Sequence, residues 1–226
     1  MVNYRLNKDK SRVSVKLYEK DVSFKKSIII PTDYYPTNKY GDFLIFTSQN
    51  TKSLHNEGLI KIIDRIKYKM GCCYQNTEKI ISLASQYGYN LTSYCGWLFV
   101  DNNNLPIHHC WCMYEDSLID LSDCFGVTCS SEVKNNLKVL DSETSRREYM
   151  IDLLAKAAFL KNSERCKPLG LAHESLLYVG FPCSPSDGRK QYNDLIRKYP
   201  NHEIHMNVGN DNRTETQRIL SERGIK

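Results

Sequence analysis

Residues 71–90, GCCYQNTEKIISLASQYGYN, decide how this chain is read. Two adjacent cysteines, Cys72 and Cys73, stand directly ahead of a helix predicted from about Tyr74 to Tyr87. In it Ile80, Ile81, Leu83 and Ala84 share one face, and Gly88 ends the run. Most free cysteines are inert buried thiols. A thiol at a helix start has another use. The positive end of the helix dipole favours thiolate over thiol and lowers the pKa of a cysteine placed there. The same N–H groups can stabilise an oxyanion when sulfur adds to a carbonyl. That chemistry needs a base and a group to orient it, so the rest of the chain must supply both.

Upstream, EGLIKIIDRIKYK (57–69) puts Leu59, Ile62, Ile63 and Ile66 on one helical face. Before it, VSVKLY (13–18), SIII (27–30) and FLIF (43–46) read as strands punctuated by Pro31, Pro36 and Gly41. Downstream, LTSYCGWLFV (91–100), IHHCWCMY (107–114) and SLIDLS (117–122) read as a β-meander, with DNNN (101–104) as a turn. Residues 142–161 form the best-marked helix: Ser142 caps it, and Tyr149, Met150, Leu153, Leu154, Ala157 and Ala158 line one face. Short proline-punctuated elements fill 162–210, and a polar helix is predicted over 212–223. There is no internal repeat. The expectation is one α+β domain over 1–226, with a β-rich part at 1–56, a catalytic core at 57–126 and a helical C-terminal part at 127–226.

The base and its partner then appear in chain order. An imidazole must reach the sulfur to take its proton and later return it. A carboxylate on the next strand can fix the imidazole tautomer and stabilise its protonated form. Cys73, His109 and Asp120 satisfy that order. Strand parity puts His109 and Trp111 on one face and His108, Cys110 and Cys112 on the other, so only one histidine is expected to face the thiol-bearing helix. Cys72 competes with Cys73 for the nucleophile role. Gln75 and Asn76 are candidate oxyanion donors, and Trp97 and Trp111 are candidate substrate contacts that the core would also accommodate.

Four motifs carry a resemblance: Cys73-Tyr74-Gln75-Asn76, Gly96-Trp97, Pro106 with His109 and Trp111, and Ile119-Asp120-Leu121-Ser122. In this order they resemble the papain-like and transglutaminase-like cysteine enzymes, nearest to small bacterial and phage members of that superfamily. The likeness covers residues 70–123. It implies a helix bearing the cysteine packed on an antiparallel sheet, with Cys73 as nucleophile, His109 as general base and Asp120 as orienting acid. Such relatives often carry Glu where this chain has Cys95, and a small residue where Cys110 stands. The implied activity is hydrolysis or acyl transfer at an amide, isopeptide or ester carbonyl through a thioester, on a protein or peptide-like substrate and without a cofactor. A catalytically inactive relative that uses the same groove for binding or inhibition, as a viral protein would, is the second reading.

Composition agrees with a globular chain: 226 residues, 41% hydrophobic, 25% charged, net charge +5. Residues 1–26 hold eight Lys or Arg against three acids, which accounts for +5 there. A solvated surface explains that charge. Without zinc-finger spacing or a recognition helix, nucleic acid is only weakly indicated. No apolar run approaches the ~18 residues that cross a membrane, and the first residues lack a signal-peptide pattern. Nine cysteines, an odd number without scaffold-like spacing, fit a reducing, cytoplasmic setting (the host's, if the chain is viral). The Asn-x-Thr tripeptides at Asn90 and Asn212 are then chance matches. Zinc held by His108, Cys110, Cys112, Cys124 and Cys129 is a third reading, weakened by the lack of Cys-x-x-Cys spacing. His202 and His205 read as a stray pair.

Overall fold

A computed structural model describes residues 2–6, 12–17, 28–31, 44–69, 71–100, 107–122, 125–128 and 130–198. The fold is α+β. Strands β1 (Val2–Leu6), β2 (Arg12–Leu17) and β3 (Ile28–Pro31) form an antiparallel sheet in that order, with Val2 opposite Leu17 and Val13 opposite Ile30. A second antiparallel sheet holds β4 (Leu44–Phe46), β5 (Thr92–Val100), β6 (Ile107–Tyr114), β7 (Ser117–Ile119) and β8 (Leu176–Pro182). Its order is β4-β8-β5-β6-β7. The described helices are α1 (Glu57–Ile63), α2 (Cys73–Gln86), α3 (Phe125–Thr128), α4 (Ser131–Val139), α5 (Glu143–Ala157), α6 (Asn162–Arg165) and α7 (Pro185–Lys198).

The sheet takes strands from all three expected parts of the chain, so its core is not confined to residues 57–126. β8, LLYVGFP, was read among short C-terminal elements, yet it lies between β4 and β5, buried from Leu176 to Phe181. A strand covered on both faces has no alternating pattern, and that erased its signal. Helix α7 was also missed; Pro185 opens it at the one helical position where a missing N–H costs nothing. The helix read at 142–161 exists but ends at Ala157, and of its expected apolar face only Ala157 is buried. DNNN 101–104, Pro106, Cys124, Cys129, His202, His205, Asn212 and the helix over 212–223 lie outside the described residues. No helix among the described residues is long and apolar enough to cross a membrane.

Each face of the central strands carries its own core, which is how a period-2 chain uses both sides. One cluster joins Leu59 and Ile63 of α1 and Ile80 and Ala84 of α2 to Cys112 and Ile119. The other joins Leu98, Trp111, Met113, Leu176 and Tyr178. Between them Gly96 and Gly180 sit directly opposite each other. A Cβ on Gly180 would lie 2.5 Å from Cys95 O and 2.6 Å from the Trp111 ring. The two glycines let the strands and the indole occupy one space.

The segment between α1 and α2 delivers Cys73, and it is held from four directions. Asn162 donates from Nδ2 to the carbonyls of Ile63 and Ile66. The Ser163 N–H and hydroxyl donate to Asp64 at 2.8 and 2.7 Å. The fully buried Arg165 places its guanidinium 3.4 Å from the centre of the Tyr68 ring and donates to Leu121 O. Asn76, also fully buried, accepts from Lys69 N at 3.1 Å and donates to Lys69 O at 2.7 Å. A buried cation that lost these contacts would be costly, so the segment is pinned.

Candidate active site

Cys73 is the first residue of α2, and its side chain is only partly exposed. Cys72, the N-cap residue, makes no side-chain cap hydrogen bond, and the first turn carries no acid. The positive end of α2 is therefore not neutralised by its own first turn. The thiol of Cys73 lies beside the imidazole of His109, which comes from β6, close enough for each to shift the other's pKa. His109 Nε2–H donates to Asp120 Oδ2 at 2.6 Å, which leaves Nδ1 for the sulfur. Asp120 stands just past β7. Its Oδ1 accepts from Ser122 N at 2.9 Å, and Oδ2 also accepts from the Tyr178 hydroxyl at 3.0 Å. Thus β8 supports the acid, a contribution that Tyr178 gave no sequence signal for.

Parity divides the doublets as expected, but the helix meets both histidines. Tyr74 of α2 hydrogen-bonds His108 Nδ1, while Cys73 takes His109. The reason lies at the sheet edge. β7 pairs with β6 only from Cys112 to Tyr114, so among the described residues no strand lies beside the outer edge of β6 at His109. The first turn of α2 can then touch residues from both faces. His108 itself lies in a ring of aromatics, stacked on Tyr192 of α7 at 4.7 Å and edge-on to Trp97 at 4.9 Å.

The electrostatics of the three groups are set jointly. Burial works against the Asp120 carboxylate, but the imidazole, the Ser122 N–H and the Tyr178 hydroxyl outweigh it and hold the pKa below 3.8. Burial likewise works against a charged imidazole, yet Asp120, helped by the thiol, lifts His109 well above 6.5. The expectation of a low pKa at Cys73 is overturned. Burial is the largest influence there and pushes the thiol above 9.0, only partly offset by the hydrogen bond and charge of His109. A helix dipole acts over one turn at modest strength, and taking a thiolate out of water costs more.

The raised pKa of His109 contributes stability that is complete below pH 6.5 and is lost as pH rises through the folded value. The depressed pKa of Asp120 contributes above pH 3.8 and is lost as pH falls through its folded value. In urea titrations the stability gap between wild type and His109→Gln should be widest between those limits and narrow on alkaline titration. A gap that does not change from pH 5 to 10 would contradict this. Alkylation of Cys73 by iodoacetamide reports the coupled pair rather than one residue. Its rise with pH should move to higher pH in His109→Ala.

Three further expected contacts are placed elsewhere. Asn76 has both ends of its carboxamide on the Lys69 backbone, so it is a structural clamp and not an oxyanion donor. Trp97 and Trp111 are fully buried, which removes them as substrate platforms. Trp111 instead lies 6.3 Å from the His109 ring, nearly parallel to it, and packs on Tyr178 at 5.1 Å. Gln75 remains accessible on the helix start and lines a groove between α2 and α7. Cys110, one of the ligands in the zinc reading, has its sulfur 3.7 Å from that of Cys95. No group of three or more His, Cys, Asp or Glu able to hold a metal occurs among the described residues. The chain matches no family model, no curated protein and no solved structure.

Proposed function

We propose that the protein is a cysteine-dependent hydrolase or acyltransferase with a papain-like or transglutaminase-like core. The observation that carries this is the convergence of the Cys73 thiol, the His109 imidazole and the Asp120 carboxylate, with 2.6 Å between imidazole and carboxylate. Proton transfer within the thiol–imidazole pair gives a thiolate beside an imidazolium, and Asp120 stabilises the latter. The sulfur adds to an amide, isopeptide or ester carbonyl. The oxyanion would meet the Cys73 N–H at the start of α2, with the Gln75 amide in reach of the same turn. His109 returns the proton to the leaving amine or alcohol, and a thioester remains. Water or an amine then attacks the thioester, with His109 taking the incoming proton, and free Cys73 is restored.

The test is direct. Incubation with an activated acyl ester should add one acyl mass to the intact protein, mapped to Cys73. Hydroxylamine should remove it, as it removes a thioester. An unmodified mass across a range of acyl donors, with Cys73 also inert to iodoacetamide, would count against the proposal. Reaction with water alone would make the protein a hydrolase, and transfer to an added alkylamine would make it a transferase.

A further inference from the structure

The helix that carries Cys73 shares a groove with α7, and that groove is basic. Its walls include Tyr74, Gln75 and Glu78 of α2 and Arg189, Lys190 and Arg197 of α7, around a cavity of about 280 Å³. It starts next to the nucleophile, since Tyr74 and Gln75 directly follow Cys73. Helix α7 is held tightly in place. A Cβ on Gly188 would lie 2.2 Å from Cys95 Sγ and 3.1 Å from the Tyr74 ring, so only glycine permits this approach. Tyr192, one turn further along, is close enough to Cys73 that a thiolate there raises its pKa, with burial the larger cause.

Three cations thus face one carboxylate. Residues 189 and 197 are eight apart and 190 and 197 seven apart, which brings all three to one side of α7. Arg197 pairs with Asp194 at 3.1 Å, but both are well exposed, and such a surface pair holds weakly. Among the described residues Arg189, Lys190 and Glu78 make no ion pair. A cleft lined by one sign of charge concentrates ligands of the other sign. Binding of single-stranded nucleic acid would call for exposed aromatic platforms as well. Here Tyr74 and Trp97 are buried.

We propose that the α2–α7 groove binds an acidic segment of a polypeptide substrate, adjacent to the carbonyl that Cys73 attacks. The inference rests on Cys73 being the nucleophile. Substrates with Asp or Glu near the reacting bond are preferred, and the preference enters through binding and association rather than the chemical step.

Peptidyl vinyl sulfones test this without knowledge of the natural substrate. Cys73 adds to the vinyl carbon to form a thioether, and the proton passes to the adjacent carbon. Probes carry Glu-Glu, Gln-Gln or Lys-Lys on either flank of the electrophile, and labelling of Cys73 is followed by intact mass. With one of the flanks, the Glu-Glu probe should label about 10-fold faster than the Gln-Gln probe at low salt, and the Lys-Lys probe should be slowest. The advantage should fade by about 0.5 M salt, where screening lengths fall to a few ångströms. It should also be lost in Arg189→Gln/Lys190→Gln, whose exposed side chains leave the fold intact. Equal rates for all probes would overturn the groove assignment and leave the thiol reading standing. An advantage that survives the double substitution would do the same. If an oligonucleotide blocks labelling and a Glu-rich peptide does not, the groove belongs to nucleic acid. No labelling of Cys73 by any probe or by iodoacetamide would overturn both proposals.

Discussion

Cys73→Ala should abolish acyl-adduct formation, and His109→Ala should slow acyl turnover by about 10⁴-fold, as loss of one member of a nucleophile–base unit does. The double variant should be no slower than the weaker single variant, because neither residue works without the other. Steady-state hydrolysis of an activated ester by the purified variants measures all three. The comparison that discriminates is Cys72→Ala. It should retain turnover, because the thiol that interacts with the imidazole is that of Cys73. If Cys72→Ala is dead and Cys73→Ala is active, the nucleophile has been misassigned. Since both cysteines are partly exposed at the same helix start, substitution at either should leave the protein folded.

Gly96→Ala should cost about 3 kcal/mol or more of stability, at the upper end for overpacking a well-filled core. The added Cβ would lie 2.0 Å from Val179 O and 2.5 Å from the Gly180 Cα. These neighbours are backbone of a central strand, so no side chain can rotate away. Relief would require separating β5 from β8 beside His109, which pairs with Gly96 on the other side. A lowered urea midpoint with loss of acyl turnover is the expected pair of outcomes. A midpoint within experimental error of wild type would show that the two strands can part at little expense.

The site was more legible in the sequence than the fold around it. Helix α2 was marked by its apolar spacing and by Gly88, and β5 and β6 by dense β-branched and aromatic residues. Those features are local. What was not legible depends on distant partners. The support of Asp120 by Tyr178 arises because β8 lies beside β5, where Gly96 and Gly180 pair although they stand 84 residues apart, a neighbour relation that no local period encodes. The raised pKa of Cys73 reflects how tightly the site is enclosed, whereas the helix-start argument considers only one turn of backbone. Asn76 and the tryptophans were candidate contacts by residue type, and burial decided otherwise. On the strand, the even and odd faces separate as alternation requires. The short reach of β7 then lets α2 touch both His108 and His109.

The place of β8 in the middle of its sheet also constrains how the chain can be made. A ribosome that has synthesised the chain only as far as Ser175 exposes β4 and β5 with nothing to join them. Until Leu176–Pro182 emerges, β5 presents a bare hydrogen-bonding rim of mostly apolar residues, the kind of surface on which nascent chains stick to one another. The carboxylate behind the imidazole also lacks its tyrosine until then. The support around Asp120 is therefore complete only after β8 slots into the gap between β4 and β5.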